Sequence, residues 1–142
     1  MDYIKIRFTR DFERTGSNLG GTIDGMFRSL NPVFTLSEPL WKPQMDIYET
    51  GSGIIVLAEI AGVNNEELEI EISSKAVKIS GKRAVAQRVE GAVYRLAEIQ
   101  YGRFERMLFL PAVIDPETAE ASCSNGILQV RLSKLQKNNS CP

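Results

Sequence analysis

The chain has 142 residues, 43% hydrophobic and 25% charged, with 17 Lys plus Arg against 18 Asp plus Glu and no histidine. That length fits one domain with tails and buries enough surface to need no disulfide or metal staple. Balanced charge offers no basic face to a nucleic-acid backbone, and the missing histidine excludes Ser-His-Asp and Cys-His catalysis, histidine general bases and histidine metal ligands.

At the start, Met1-Asp2-Tyr3-Ile4-Lys5-Ile6-Arg7 carries charges where a signal peptide needs an apolar core, so a soluble, cytoplasmic protein is expected. Residues 1–40 hold four of the 11 glycines (Gly16, Gly20, Gly21, Gly25) and four of the six phenylalanines. No period of 2 or 3.6 runs through this stretch. Asp24 to Leu30 fits a short helix capped by Asp24, and Pro32 and Pro39 stop anything longer. The expectation for 1–40 is a flexible arm, too aromatic for a solvated linker. Its candidate apolar contacts with other chains are Phe8, Phe12, Met26, Phe27, Leu30, Phe34 and Leu36.

From Pro43 the pattern turns to strands. Met45-Asp46-Ile47-Tyr48-Glu49 alternates, and Thr50-Gly51-Ser52-Gly53 turns the chain. Ile54 to Ile60 is a β-branched run suited to a central strand. Leu68-Glu69-Ile70-Glu71-Ile72 and Ala76-Val77-Lys78-Ile79-Ser80 alternate again, after a turn at Asn64–Glu67. Phe104 to Leu110 predicts a strand stopped by Pro111. Asn125-Gly126 lies between the runs Ala119–Cys123 and Leu128–Leu132 and predicts a tight hairpin, because both turn positions need positive φ. Short strands with frequent turns from Pro43 to Lys134 predict an all-β sandwich. Residues 84–103 interrupt it as a long polar excursion, with Val93–Ala97 as a short extra strand. A short tail, 135–142, follows.

No nucleotide-binding or nucleophile-elbow motif occurs. The carboxylate pairs Asp46/Glu49 and Glu66/Glu67 read as solvated charges. Cys123 reads as a small, partly buried hydrophobe, and it and Cys141 read as free thiols. No cofactor or metal is implied. The longest clear apolar run, Ile54–Ala58, falls far short of the roughly 20 residues that span a bilayer. What remains open is whether the arm aromatics pack onto the sandwich or bind other apolar chains, and the glycine-rich spacing favours the second. An enzyme is disfavoured.

Five fragments, in order, carry a resemblance. Trp41-x-Pro43 leads into Asp46-Ile47-Tyr48-Glu49. Ala61-Gly62-Val63 and Ile79-Ser80-Gly81 follow, then Tyr101-Gly102-x-Phe104-x-Arg106 with Leu110-Pro111, and finally Ala121-x-x-x-Asn125-Gly126-Ile127-Leu128. Together they resemble the small heat-shock proteins with an α-crystallin domain, of the bacterial, archaeal and plant type. Ala61 stands where that family usually has proline. The resemblance covers about 41–134 and implies an all-β, immunoglobulin-like sandwich there, in an ATP-independent holdase that binds non-native client proteins, homodimerises and builds higher oligomers. It implies reciprocal strand exchange, in which Tyr94, Arg95, Leu96 and Ala97 pair with Met45, Asp46, Ile47, Tyr48 and Glu49 of a second copy, with Arg106 at the interface. The family's Ile/Val-x-Ile/Val tail motif, which docks into a groove on a neighbouring dimer, is absent from 133–142. Assembly is therefore expected to rest on the dimer plus arm contacts, or on another segment in that groove.

Overall fold

Alternating apolar residues meet across two antiparallel sheets. The computed structural model describes residues 4–8, 12–15, 41–85 and 89–136. In chain order the strands are β1 (Ile4–Phe8), β2 (Phe12–Thr15), β3 (Met45–Glu49), β4 (Gly53–Glu59), β5 (Glu69–Ile72), β6 (Ala76–Arg83), β7 (Gly102–Phe109), β8 (Ile114–Ser124) and β9 (Ile127–Lys134). One sheet runs β2-β1-β5-β6-β7 and the other β3-β4-β9-β8. The inner faces supply the core. Ile70, Ile72, Val77, Ile79 and Phe104 face Ile54, Val56, Leu128, Val130 and Leu132, all nearly solvent-free. Only a single 3₁₀ turn, Asn65–Glu67, is helical among the described residues, and the Asn64 side chain accepts from the Glu66 amide at 3.0 Å to start it. The chain is thus an all-β sandwich, as its alternation predicts.

Turn chemistry sets the register. Thr50 Oγ1 accepts from the Gly53 amide at 3.0 Å and closes the β3–β4 turn. Asn125 and Gly126 have φ of 53° and 81°, the two left-handed positions of the expected hairpin turn. Gly126 also packs tightly: a Cβ there would lie 2.9 Å from Ala61 Cβ. Gly81 is confined in the same way, since a Cβ would meet the Phe104 ring at 2.9 Å.

Three expectations need correction. The first concerns the arm. Ile4–Phe8 and Phe12–Thr15 are not outside the folded domain: β1 adds to the β5 edge with Ile4 opposite Ile72 and Ile6 opposite Ile70. Ile4 and Ile6 are core residues. The physical cause is local alternation in Ile4-Lys5-Ile6, which puts both isoleucines inward and Lys5 outward. Lys5 Nζ lies 3.3 Å from Glu69 and 3.9 Å from Glu71, and Glu71 also faces Lys78 at 3.8 Å. The second concerns β8, which begins at Ile114 rather than Ala119. A register shift between Asp115 and Glu120 lets the strand bend past Pro116 and continue. The third concerns Cys123. It is exposed rather than partly buried, because it lies near the hairpin end, beyond the buried Ala119 and Ala121.

Candidate assembly interface

β3 closes one side of its sheet. It pairs with β4, and among the described residues no strand covers its other side. The opposite edge strand, β8, is blunted by Pro116 and its irregular register, whereas β3 has neither device. Asp46, Ile47, Tyr48 and Glu49 are exposed on β3 and Met45 is half-buried, so the edge presents two large apolar side chains between two carboxylates. Lys134 Nζ holds Glu49 at 2.6 Å from the rim of β9.

The second element is the segment between β6 and β7. Residues 92–100 form no strand in the single chain, so Val93–Ala97 lacks the pairing that its composition invites. Tyr94 is 64% exposed and Leu96 74%, with Val89, Val93 and Ile99 equally open. Isolated exposed apolar residues are ordinary, but five within eleven consecutive positions concentrate apolar surface on one loop. The exposed backbone of this segment is open to solvent in the single chain. The described residues thus hold an uncovered strand edge at β3 and a separate exposed apolar segment, which do not pair with each other within one chain.

Arg106 is placed differently from the other interface candidates. On β7 opposite Ile79, its Nη1 donates to the Pro43 carbonyl at 2.7 Å. That bond lies within the chain and fixes the lead-in to β3 against the other sheet. Close by, Trp41 is buried, with its ring edge-on to Phe104 at 5.1 Å. The Arg83 guanidinium stacks on Trp41 at 3.6 Å. An open cavity of about 310 Å3 lies beside them, lined by Lys42, Pro43, Gln44, Glu59 and Gln100 as well. Neither Trp41 nor Arg83 was a candidate from spacing alone, because their contact joins segments over forty positions apart.

Phe8 and Phe12 lie on β1 and β2 and pair in register, but their side chains lie outside the described set. Met26, Phe27, Leu30, Phe34 and Leu36, and the short helix expected at Asp24–Leu30, also lie outside the described residues. No group of three metal-ligating side chains occurs among the described residues. No described helix is long and apolar enough to cross a membrane. Although Cys123 is exposed, desolvation by the atoms around its thiol raises its pKa above the ordinary value, which keeps it protonated at neutral pH.

The architecture is that of an α-crystallin-type β-sandwich. Residues 46–141 match the Hsp20/alpha crystallin family. The chain is 31% identical over 106 residues to small heat shock protein C2 of Rickettsia felis, covering 75% of this chain and 69% of that protein. Heat shock protein 16.0 from Schizosaccharomyces pombe has the same fold, with a TM-score of 0.63 at 30% identity over 70% of this chain and 93% of that one. A small heat-shock protein from Xylella fastidiosa, whose structure is described as a distinct high order structure, aligns with a TM-score of 0.62 at 25% identity over 70% and 91% of the two chains. The chain belongs to the Hsp20/alpha crystallin family, the small heat shock proteins, whose members are chaperones rather than enzymes. It spans between 48% and 69% of the length of three curated relatives it matches.

Proposed function

We propose that the protein is an ATP-independent holdase that covers apolar surface on partly unfolded proteins and so slows their aggregation. The reading rests on family membership together with the exposed apolar segment Val89–Ile99 beside an uncovered strand edge. The working unit is a homodimer. Tyr94, Arg95, Leu96 and Ala97 of each copy add to Met45–Glu49 of the other, which pairs the backbone of both and puts Tyr94 and Leu96 on one face of the joined sheet and Arg95 on the other. Met45, Ile47 and Glu49 share one face of β3, and Asp46 and Tyr48 the other, so Arg95 meets the one carboxylate on its own face. Reciprocity of the exchange gives twofold symmetry and closes the assembly at two chains, leaving other surfaces for higher oligomers. Client contacts come from Phe8, Phe12, Met26, Phe27, Leu30, Phe34 and Leu36. The site of action is the cytoplasm. Arg106 serves the dimer indirectly, by holding the lead-in to β3 through Pro43.

One experiment tests both parts. The full chain and a chain lacking residues 91–98 are compared for light scattering of a heat-labile client enzyme without nucleotide, and for solution mass. The full chain is expected to suppress scattering at near-stoichiometric ratio and to run as a dimer or larger. The shortened chain is expected to run as monomer. A full chain that leaves client scattering unchanged, or that needs ATP, refutes the holdase reading. An intact dimer in the shortened chain refutes strand exchange.

A further inference from the structure

Arg83 is the last residue of β6, where the long loop leaves the sandwich, and it pairs with Gly102, where the loop returns. Its side chain reaches three other segments. Nε donates to the Gln100 carbonyl at 2.8 Å, on the returning limb. Nη1 donates to the Ala61 carbonyl at 3.0 Å, in the turn after β4. The guanidinium plane lies over Trp41 at 3.6 Å and near Tyr101 at 5.9 Å. Gly62 makes room for the stem, since a Cβ there would stand 3.3 Å from Arg83 Cδ. Trp41 is anchored on its far side, donating its backbone N–H to the Arg103 carbonyl at 3.0 Å.

This arrangement uses what distinguishes arginine from lysine. A planar, delocalised cation stacks on an indole face while its edge donates in two directions. An ammonium at the same place is a point charge on a flexible stem, and cannot fill both carbonyl positions while covering the ring. The side chain thereby clamps both roots of the 84–101 loop to each other and to Trp41. Trp41 lies two positions before Pro43, the residue that Arg106 grips ahead of β3. The donor loop and the acceptor strand of the proposed exchange are thus referenced to one point.

We propose that Arg83 is the positioning residue of the exchange loop: with Trp41 it sets the direction in which Tyr94–Ala97 leave the sandwich, and so sets the affinity of the dimer. This deepens the strand-exchange reading and rests on it. Trp41 is the chain's only tryptophan, so its fluorescence reports on the clamp without a label.

The test uses the full chain and its Arg83→Met and Arg83→Lys variants. Met keeps an apolar stem over Gly62, and Lys keeps the charge. Dimer dissociation on dilution is measured by sedimentation, sandwich melting by circular dichroism, and the Trp41 environment by its emission. Both variants are expected to weaken the dimer by about tenfold or more, because a loop no longer held in one direction is competent to pair only part of the time. The lost contacts lie within one chain, so sandwich melting is expected to fall modestly in both variants with the fold retained. Trp41 emission is expected to change on dilution of the parent chain through its dissociation range, and to be already shifted in both variants. A dimer affinity within twofold of the parent in either variant overturns the role of Arg83, because stem or charge alone then suffices. A dimer that also survives deletion of 91–98 overturns the exchange reading beneath it. Loss of the dimer on that deletion, with Arg83→Met unchanged, overturns the positioning role alone.

Discussion

At the residue scale, the sandwich depends on a few positions where a side chain is excluded or a single side chain joins distant segments. Gly126 is the sharpest case. Its φ of 81° is unfavourable for any L side chain, and a Cβ would press on Ala61 Cβ at 2.9 Å. The Ile60 amide also donates to the Gly126 carbonyl at 2.9 Å, so the turn is tied to the β4 end and has little room to shift. Gly126→Ala is expected to cost about 1–2 kcal/mol from the left-handed backbone alone, and more from the contact. Denaturant unfolding would read this as a lower midpoint at unchanged slope. An unchanged midpoint would mean that the Ala61 turn yields freely. Asn125 at φ 53° was readable beforehand with Gly126, because Asn-Gly is the pair that tolerates this turn. The role of Arg83 was not readable, since it depends on Trp41, Ala61 and Gln100 arriving at one place.

At the element scale, sequence pattern finds strands both inside the sheets and at the β3 edge. β5 and β6 alternate and β4 is a continuous apolar run, all three inside their sheets, while alternating β3 is matched from Met45 to Glu49. The failures have physical causes. β1 was obscured because its short alternation sits beside a glycine-rich stretch with no period, and only the β5 edge gives it meaning. β8 was shortened because Pro116 reads as a stop, although an edge strand tolerates it. The 93–97 strand needs a second chain. β1 is also the element that most changes the view of the N-terminal region. Its Lys5 pairs with Glu69 and Glu71 are partly screened and each contribute about 0–1 kcal/mol. Ile6 is fully buried, and Ile6→Ala is expected to cost about 2–5 kcal/mol where the site cannot collapse. Apolar burial rather than charge therefore holds β1 in place. Because β1 covers only the β5 side of its sheet, much of that loss should appear as local opening. In Ile6→Ala, hydrogen exchange is expected to accelerate at β5 amides while β6 amides stay protected. Equal acceleration across both sheets would mean that β1 is part of the cooperative core.

At the scale of the whole molecule, the position of β1 changes how client binding must be tested. Removing residues 1–40 takes away the aromatic arm, but it also takes Ile4 and Ile6 from the core and uncovers the β5 edge. Lost aggregation suppression in such a chain would not separate client capture from a loosened sandwich. Substituting Met26, Phe27, Leu30, Phe34 and Leu36 with serine in the full chain leaves β1 and β2 in place. Each of those side chains offers about 1.5–3 kcal/mol when fully buried, so five together outweigh the few kcal/mol of a weak, reversible client contact. The substituted chain is expected to keep the unfolding midpoint of its sandwich and its dimer mass, yet to need several times more protein for equal suppression of client scattering. Suppression equal to that of the parent chain would remove these five residues from the mechanism. It would move client capture to the exposed apolar run Val89–Ile99, which must then serve clients and the partner copy in competition.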